Sequence, residues 1–199
     1  MRAGIVDYGM GNLASVAKAV ERVGWSARVS SDRRELEGSK VVILPGVGNF
    51  EAGMANLRSR ALDLFVTDWV TRERPLVGIC LGMQMLFDHS DEAANPGLGL
   101  ITGKVVRLPD GVKIPHMGWN EITASPSSVL APYDRRRFYF VHSYACVPED
   151  DDSVAATAEY GVPFAAAIHS GNLIGFQFHP EKSSADGISM LRTALQAVL

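Results

Sequence analysis

Cysteine is almost absent. The two that occur, Cys80 and Cys146, are too few for a disulfide framework, so each reads as a packed thiol or a nucleophile in a reducing compartment. Long apolar runs are missing as well: no stretch reaches the roughly 18 residues a membrane-spanning helix needs. Asp7 interrupts the first apolar segment, so no secretory leader is expected, and the protein reads as soluble and cytosolic. Nor is there an excess of positive charge. Nineteen Lys and Arg stand against 22 Asp and Glu, a net −3, which gives no general attraction for nucleic acid or an anionic membrane. The run Arg135, Arg136, Arg137 reads as a solvated loop. Repeats, low-complexity tracts and linkers are lacking too, so residues 1–199 read as one domain.

What is present alternates. RAGIVDY is a short buried strand, and NLASVAKAVERVG has apolar residues at helical spacing up to Gly24. WSARVS, SKVVILPG and PLVGIC follow as continuous apolar strands, with helices expected over 49–72 and 81–90. This order predicts an open α/β fold with a mostly parallel central sheet covered by helices on both faces. After Gly97 the texture changes to GLGLITGKVVRL, RRFYFVHSYACV, FAAAIHSGNL and LIGFQFHP, with turns at Asp110-Gly111 and Ser170-Gly171-Asn172. Antiparallel strands are expected there. The tail from Ser184 carries Ile188, Leu191, Leu195 and Val198 on one helical face.

Within PLVGICLGMQMLF, Cys80 stands between Gly78 and Gly82 at the point where strand becomes helix. Such a turn at the carboxyl edge of an α/β sheet faces ligand, and glycines relieve crowding there as around a nucleophile elbow. The first helical turn offers unpaired N–H groups and partial positive charge, which favour a thiolate; the Leu81 N–H could donate to an oxyanion. Taken alone, the motif fits a buried turn equally well. In FQFHPEKS, strand alternation would put His179 and Glu181 on one side, with Pro180 holding the backbone extended. A carboxylate beside an imidazole fixes its tautomer, yet a surface histidine at a strand end is the simpler reading if Cys80 is ignored. His89, His116, His142 and His169 lack metal-site spacing, so no metal is expected and no cofactor is called for.

GICLGMQ followed by HPE resembles the class I, or triad-type, glutamine amidotransferases. DYGMGN, LPGVGNFEAGM, IPHMGWN, FYFVHSY and FQFHPEKS narrow the likeness to the glutaminase subunits of imidazole glycerol phosphate synthases. The resemblance implies Cys80 as nucleophile, His179 as general base then acid, and Glu181 as its orienter. It places Val47 and Gly48, with Leu81, around the oxyanion, and Gln84, Glu92, Ser143 and Tyr144 around the amino and carboxylate groups of L-glutamine. It further implies a separate (β/α)₈-barrel cyclase subunit that receives the ammonia, with Asn12 and Lys182 as candidate contacts, and low activity until that partner holds its ligand. Two rivals remain: a stand-alone cysteine hydrolase of γ-glutamyl amides, and a flavodoxin-like binding module in which Cys80 only packs.

Overall fold

The computed structural model describes residues 1–199. In chain order the elements are β1 (Arg2–Val6), α1 (Leu13–Arg22), β2 (Ser26–Ser30), α2 (Arg33–Glu37), β3 (Val41–Gly46), α3 (Phe50–Ser59), α4 (Leu62–Thr71), β4 (Leu76–Cys80), α5 (Leu81–Gln84) and β5 (Phe87–Ser90). There follow β6 (Ile101–Arg107), β7 (His116–Glu121), β8 (Thr123–Ala124), β9 (Arg137–His142), β10 (Tyr144–Pro148), β11 (Val154–Tyr160), β12 (Val162–Ser170), β13 (Leu173–Phe176) and α6 (Ser184–Ala197). No helix is long and apolar enough to cross a membrane.

The main sheet runs β2-β1-β3-β4-β13-β12-β11-β8. Its first five strands are parallel and the rest antiparallel, the α/β architecture expected from the sequence. All of β3 and β4 is buried, and their side chains alternate between two cores. Val41, Ile43, Val77 and Ile79 pack with α1 and α6, while Val42, Leu44 and Leu76 pack with α3 and α4. That period of two with both faces apolar is what a doubly covered sheet requires. Asn12 caps α1 through Ser15 N at 3.3 Å, and Asn49 caps α3 through Ala52 N at 3.0 Å, so each helix starts where the sequence supplies a short acceptor side chain.

Several expectations are corrected. The helix foreseen over 81–90 ends after Gln84, and Phe87–Ser90 is a strand paired with β6. The Leu86 carbonyl accepts from both Leu100 N and Ile101 N, at 2.8 and 3.0 Å, so backbone that could have continued the helix is taken by a distant segment. WSARVS does form β2, but at the edge of the sheet and largely exposed. Residues 49–72 make two helices, broken where Ala61 adopts φ 52°. RRFYFVHSYACV divides at Ser143, β9 pairing with β7 and β10 with β6. Strand β11, VAATAEY, was not foreseen because alanine is a poor strand former; pairing with β12 makes it one.

At the amino end of β4, the Arg74 guanidinium bonds Glu37 Oε1 at 2.6 Å and the Glu37 and Ser39 carbonyls at 2.8 and 2.9 Å. It also lies 3.3 Å from the Trp69 ring centroid, and Trp69 Nε1 donates to Pro75 O at 2.8 Å. At the other end, three glycines permit close approach. A β-carbon on Gly82 would overlap the Leu44 carbonyl, one on Gly46 would overlap the Tyr8 hydroxyl, and one on Gly78 would lie 3.0 Å from Met83 Cα. Gly82→Ala is therefore expected to lower stability by about 3 kcal/mol or more, a melting temperature reduced by roughly 6–12 °C; calorimetry showing an unchanged midpoint would contradict this packing.

Candidate active site

Cys80 ends β4 with φ 54° and ψ −110°, and Leu81 begins α5 immediately after it. A β-carbon-bearing residue adopts such a φ only where its surroundings impose it; here the crowding around Gly78 and Gly82 does so. The Cys80 thiol is 5% exposed. It lies 3.7 Å from the Val141 carbonyl oxygen and accepts from Gln177 Nε2 at 3.8 Å.

His179 approaches from β13. That strand is the hydrogen-bonded neighbour of β4, with Phe176 opposite Ile79, so the segment just beyond Phe176 arrives beside Cys80 across ninety-odd residues of sequence. His179 N donates to Tyr139 O at 2.9 Å, and its carbonyl accepts from Ser183 Oγ at 2.6 Å. His179 Nδ1 and Glu181 Oε1 are 2.7 Å apart, both side chains only 2% exposed. Strand alternation is not what joins them: Pro180–Lys182 is a 3₁₀ turn, and the turn folds the carboxylate back under the imidazole. Pro180 starts this turn instead of extending the chain.

Burial alone would lower the His179 pKa, but contact with Cys80 and Glu181 outweighs it and raises the imidazole to about 10. The charged form is favoured. Nε2 itself has no bonding partner, so the sulfur is near enough to act on the imidazole's charge while lying outside bonding geometry. Cys146 is fully enclosed, and burial pushes its thiol well up.

Beside Cys80 lies a cavity of about 170 Å³ whose walls include Gly48, Leu81, Gln84, Glu92, Ser143 and Tyr144, together with Pro115, Val141 and His142. This is below the usual volume of a drug-sized site and suits a small polar metabolite. Roomier clefts of about 410 and 470 Å³ open elsewhere, but no cysteine or histidine lines them. Gly48 sits at φ 114°, open to glycine alone; Val47 is not part of the wall. Glu92 Oε2 accepts from Phe50 N at 2.7 Å at the start of α3, leaving its other oxygen for a ligand. Gln84 Nε2 donates to Tyr144 O at 2.9 Å and to Gln177 Oε1 at 3.0 Å. Asn12 and Lys182 are exposed and stand outside the cavity. Sequence reasoning passed over Gln177 and Tyr8. The buried Tyr8 hydroxyl donates to Pro45 O at 2.7 Å, holding the strand that leads to Gly48, and burial with the nearby Cys80 pushes its phenol pKa up; the aromatic inside DYGMGN was the available signal.

The family model for Glutamine amidotransferase class-I matches residues 4–197. The chain belongs to the class-I glutamine amidotransferases. This amidotransferase is 48% identical over 191 residues to the imidazole glycerol phosphate synthase subunit HisH of Moorella thermoacetica, covering 94% of this chain and 91% of that one. It is also 48% identical over 196 residues to the subunit of the same name from Geobacillus kaustophilus, covering 94% and 93%. Among solved structures, one described as the structure of PurLQS from Thermotoga maritima superposes with a TM-score of 0.78 at 21% identity, covering 100% of this chain and 99% of that one. Another, described as a glutamine amidotransferase, gives 0.74 at 20% identity and covers 98% of both. At such identities these two speak for the fold.

The amidotransferase also buries two histidines that the sequence reading had set aside. Burial pushes His116 down to about 4. It pushes His142 to about 3, only partly opposed by the hydrogen bond to Tyr144 O. An imidazole in the unfolded chain titrates near 6.5, so between these values the unfolded state binds more protons and stability rises with pH. This contribution is complete above pH 6.5 and disappears as the pH falls towards 3–4. Thermal or urea midpoints recorded from pH 7 to 4 should fall more gently in His142→Asn than in the parent, by about one proton's worth of slope; identical slopes would show that His142 is not held neutral.

Proposed function

We propose that the chain is the glutaminase subunit of imidazole glycerol phosphate synthase. It hydrolyses L-glutamine to glutamate and ammonia, and a cyclase subunit consumes the ammonia while making imidazole glycerol phosphate and aminoimidazole carboxamide ribonucleotide in histidine biosynthesis. The observation that carries the reading is the strained Cys80 at the rim of β4, with the buried His179–Glu181 pair on the adjoining strand end and a small polar cavity at its side.

In the first step His179 takes the proton of the Cys80 thiol as the sulfur attacks the amide carbon of the glutamine side chain. The imidazolium of His179 protonates the departing nitrogen, the C–N bond breaks, and a thioester and ammonia result. The imidazole, now neutral, takes a proton from water, whose oxygen attacks the thioester; glutamate leaves and the thiol is restored. A carboxylate at bonding distance on Nδ1 suits both stages, because it fixes the ring and stabilises its charged form. Donors from the Gly48 and Leu81 backbone, with Val47 next to them, serve the oxyanion, where losing one donor costs about 10²–10³ in rate. Glu92 takes the substrate ammonium. Gln84 has both amide hydrogens engaged, so it offers an acceptor, and Ser143 and Tyr144 complete the grip on the amino-acid end.

Free ammonia is protonated in neutral water and loses its nucleophilicity, so the product needs a sheltered route into the partner, proposed to be a (β/α)₈ barrel. An exposed apolar patch stands near the site. Met117 and Trp119 on β7 are 63% and 44% exposed, Trp119 packs edge-on against Tyr139 at 6.4 Å, and Lys182 Nζ lies 5.9 Å from the Tyr139 ring. Exposed aromatic and methionine side chains grouped this way are typical of interface centres, and Lys182 beside them closes the turn that carries Glu181.

Two outcomes are expected. Cys80→Ala should abolish ammonia release from glutamine while leaving the circular dichroism spectrum and the partner's affinity intact; residual hydrolysis at parental rate would exclude the mechanism. Trp119→Ala should weaken association with the cyclase by about 2 kcal/mol, roughly 30-fold, as read by fluorescence titration, and an unchanged Kd would remove β7 from the interface.

A further inference from the structure

A chain of buried polar groups connects the far end of β7 to the cavity, and its polarity is set by one atom. The Tyr144 carbonyl can only accept. His142 Nδ1 lies 2.8 Å from it and so carries the proton. His142 Nε2 is then bare and accepts from His116 Nδ1 at 3.0 Å. His116 Nε2 is left as an acceptor facing Asn120 Nδ2 at 3.5 Å, and Asn120 is itself anchored on Glu159 O at 2.8 Å. On the other side of the same carbonyl, Gln84 Nε2 donates and passes its second hydrogen to Gln177 Oε1, which turns Gln177 Nε2 towards Cys80 Sγ. Both histidines are buried, 3% and 5% exposed, and His116 is stacked on Tyr160 with ring centroids 4.0 Å apart.

A core histidine needs no such chain. Apolar neighbours surround this pair, and an unpaired ring nitrogen in that setting costs about 1–3 kcal/mol, so the one tautomeric arrangement that satisfies all the atoms is strongly selected. Its output is the fixed position of the Tyr144 peptide and of Gln84, both in the cavity wall. Ser143, between His142 and Tyr144, is pinned from outside as well, its carbonyl accepting from Leu108 N at 2.9 Å.

We propose that His142, its tautomer fixed by the Tyr144 carbonyl and its other nitrogen met by His116, is a positioning residue that holds that carbonyl and through it Gln84 in the geometry that grips the amino-acid end of the substrate. The inference deepens the glutaminase reading and rests on it. His142 makes no hydrogen bond to the sulfur or to His179; its bonds go to His116 and to a backbone carbonyl, and it acts through the latter. Its effect therefore falls on substrate binding and leaves the bond-breaking step nearly alone.

Two conservative substitutions separate the two ring nitrogens. His142→Gln carries an acceptor where Nε2 was and loses the Nδ1 donor; His142→Asn keeps a donor in the Nδ1 position. With the amidotransferase in complex with its ligand-loaded cyclase, His142→Gln should raise the KM for glutamine about tenfold and change kcat less than about threefold. His142→Asn should recover most of that loss. Equal KM values in the two variants and the parent would overturn the proposal, and so would equal losses in both, which is what a merely structural role gives. A second measurement does not depend on the variants folding or on turnover: nitrogen-15 spectra of the histidine rings in the parent complex at pH 7 should show both His116 and His142 as neutral Nδ1–H tautomers. An Nε2–H tautomer or a cation at His142 would overturn it. Absence of glutamine hydrolysis in the parent complex would instead count against the glutaminase reading, with the tautomers still read directly.

Discussion

The site depends on a steric constraint: β3, β4 and the first turn of α5 come closer together than side chains allow. Gly82 rides against the Leu44 carbonyl, Gly46 against the Tyr8 hydroxyl, and Gly78 against the backbone of Met83. Three absent β-carbons thus let the chain turn at Cys80 with φ 54° and put a sulfur at the rim of the sheet instead of inside it. The cost of that conformation, of order 1–3 kcal/mol, is met by burial on both sides of β3 and β4, in which every residue is buried. Any change that loosened this contact would free the backbone to relax and move the sulfur.

Topology supplies the second half of the site. Strand β13 enters the sheet from the antiparallel side yet lies parallel to β4, so its carboxyl end and that of β4 share one edge. His179 needs no long loop to reach the sulfur. A single 3₁₀ turn then returns Glu181 to the imidazole, and a carboxylate and a ring that are both buried hold their charges together. Glu92 and Gln84 show the same economy: each engages one part of its side chain in fixing a neighbour, the start of α3 or the Tyr144 carbonyl, and keeps an oxygen in reserve.

Much of this was legible in the sequence, and what was not has physical reasons. Glycine spacing around Cys80 announces a tight turn because only one residue type relieves that crowding. The strands β1, β3 and β4 were readable because burial on both faces leaves unbroken apolar runs. Strand β5 was not, because Phe87–Ser90 owes its form to the β6 backbone and no local run of residues records that pairing. Alanine-rich β11 escaped for the same reason. The link between His179 and Glu181 was inferred from strand alternation, while the structure achieves it with a turn begun by Pro180; two residues apart is a short separation by either geometry. Gln177, Tyr8, His116 and His142 sit inside the blocks FQFHPEKS, DYGMGN, IPHMGWN and FYFVHSY, yet nothing local to those blocks gives them a role. Their roles come from partners 26 to 97 positions away, a relation that only folding creates.

The clamp at the amino end of β4, where Arg74 grips Glu37 and lies over Trp69, has a different bearing. It stiffens the same strand that carries Cys80, from the opposite end and six residues upstream of the sulfur, with an assembly of cation, carboxylate and indole outside the cavity. One source of rigidity is thereby placed at the end of the strand away from the chemistry. A lineage moving to hotter or colder surroundings has a dial for rigidity that it can turn without retuning its catalyst.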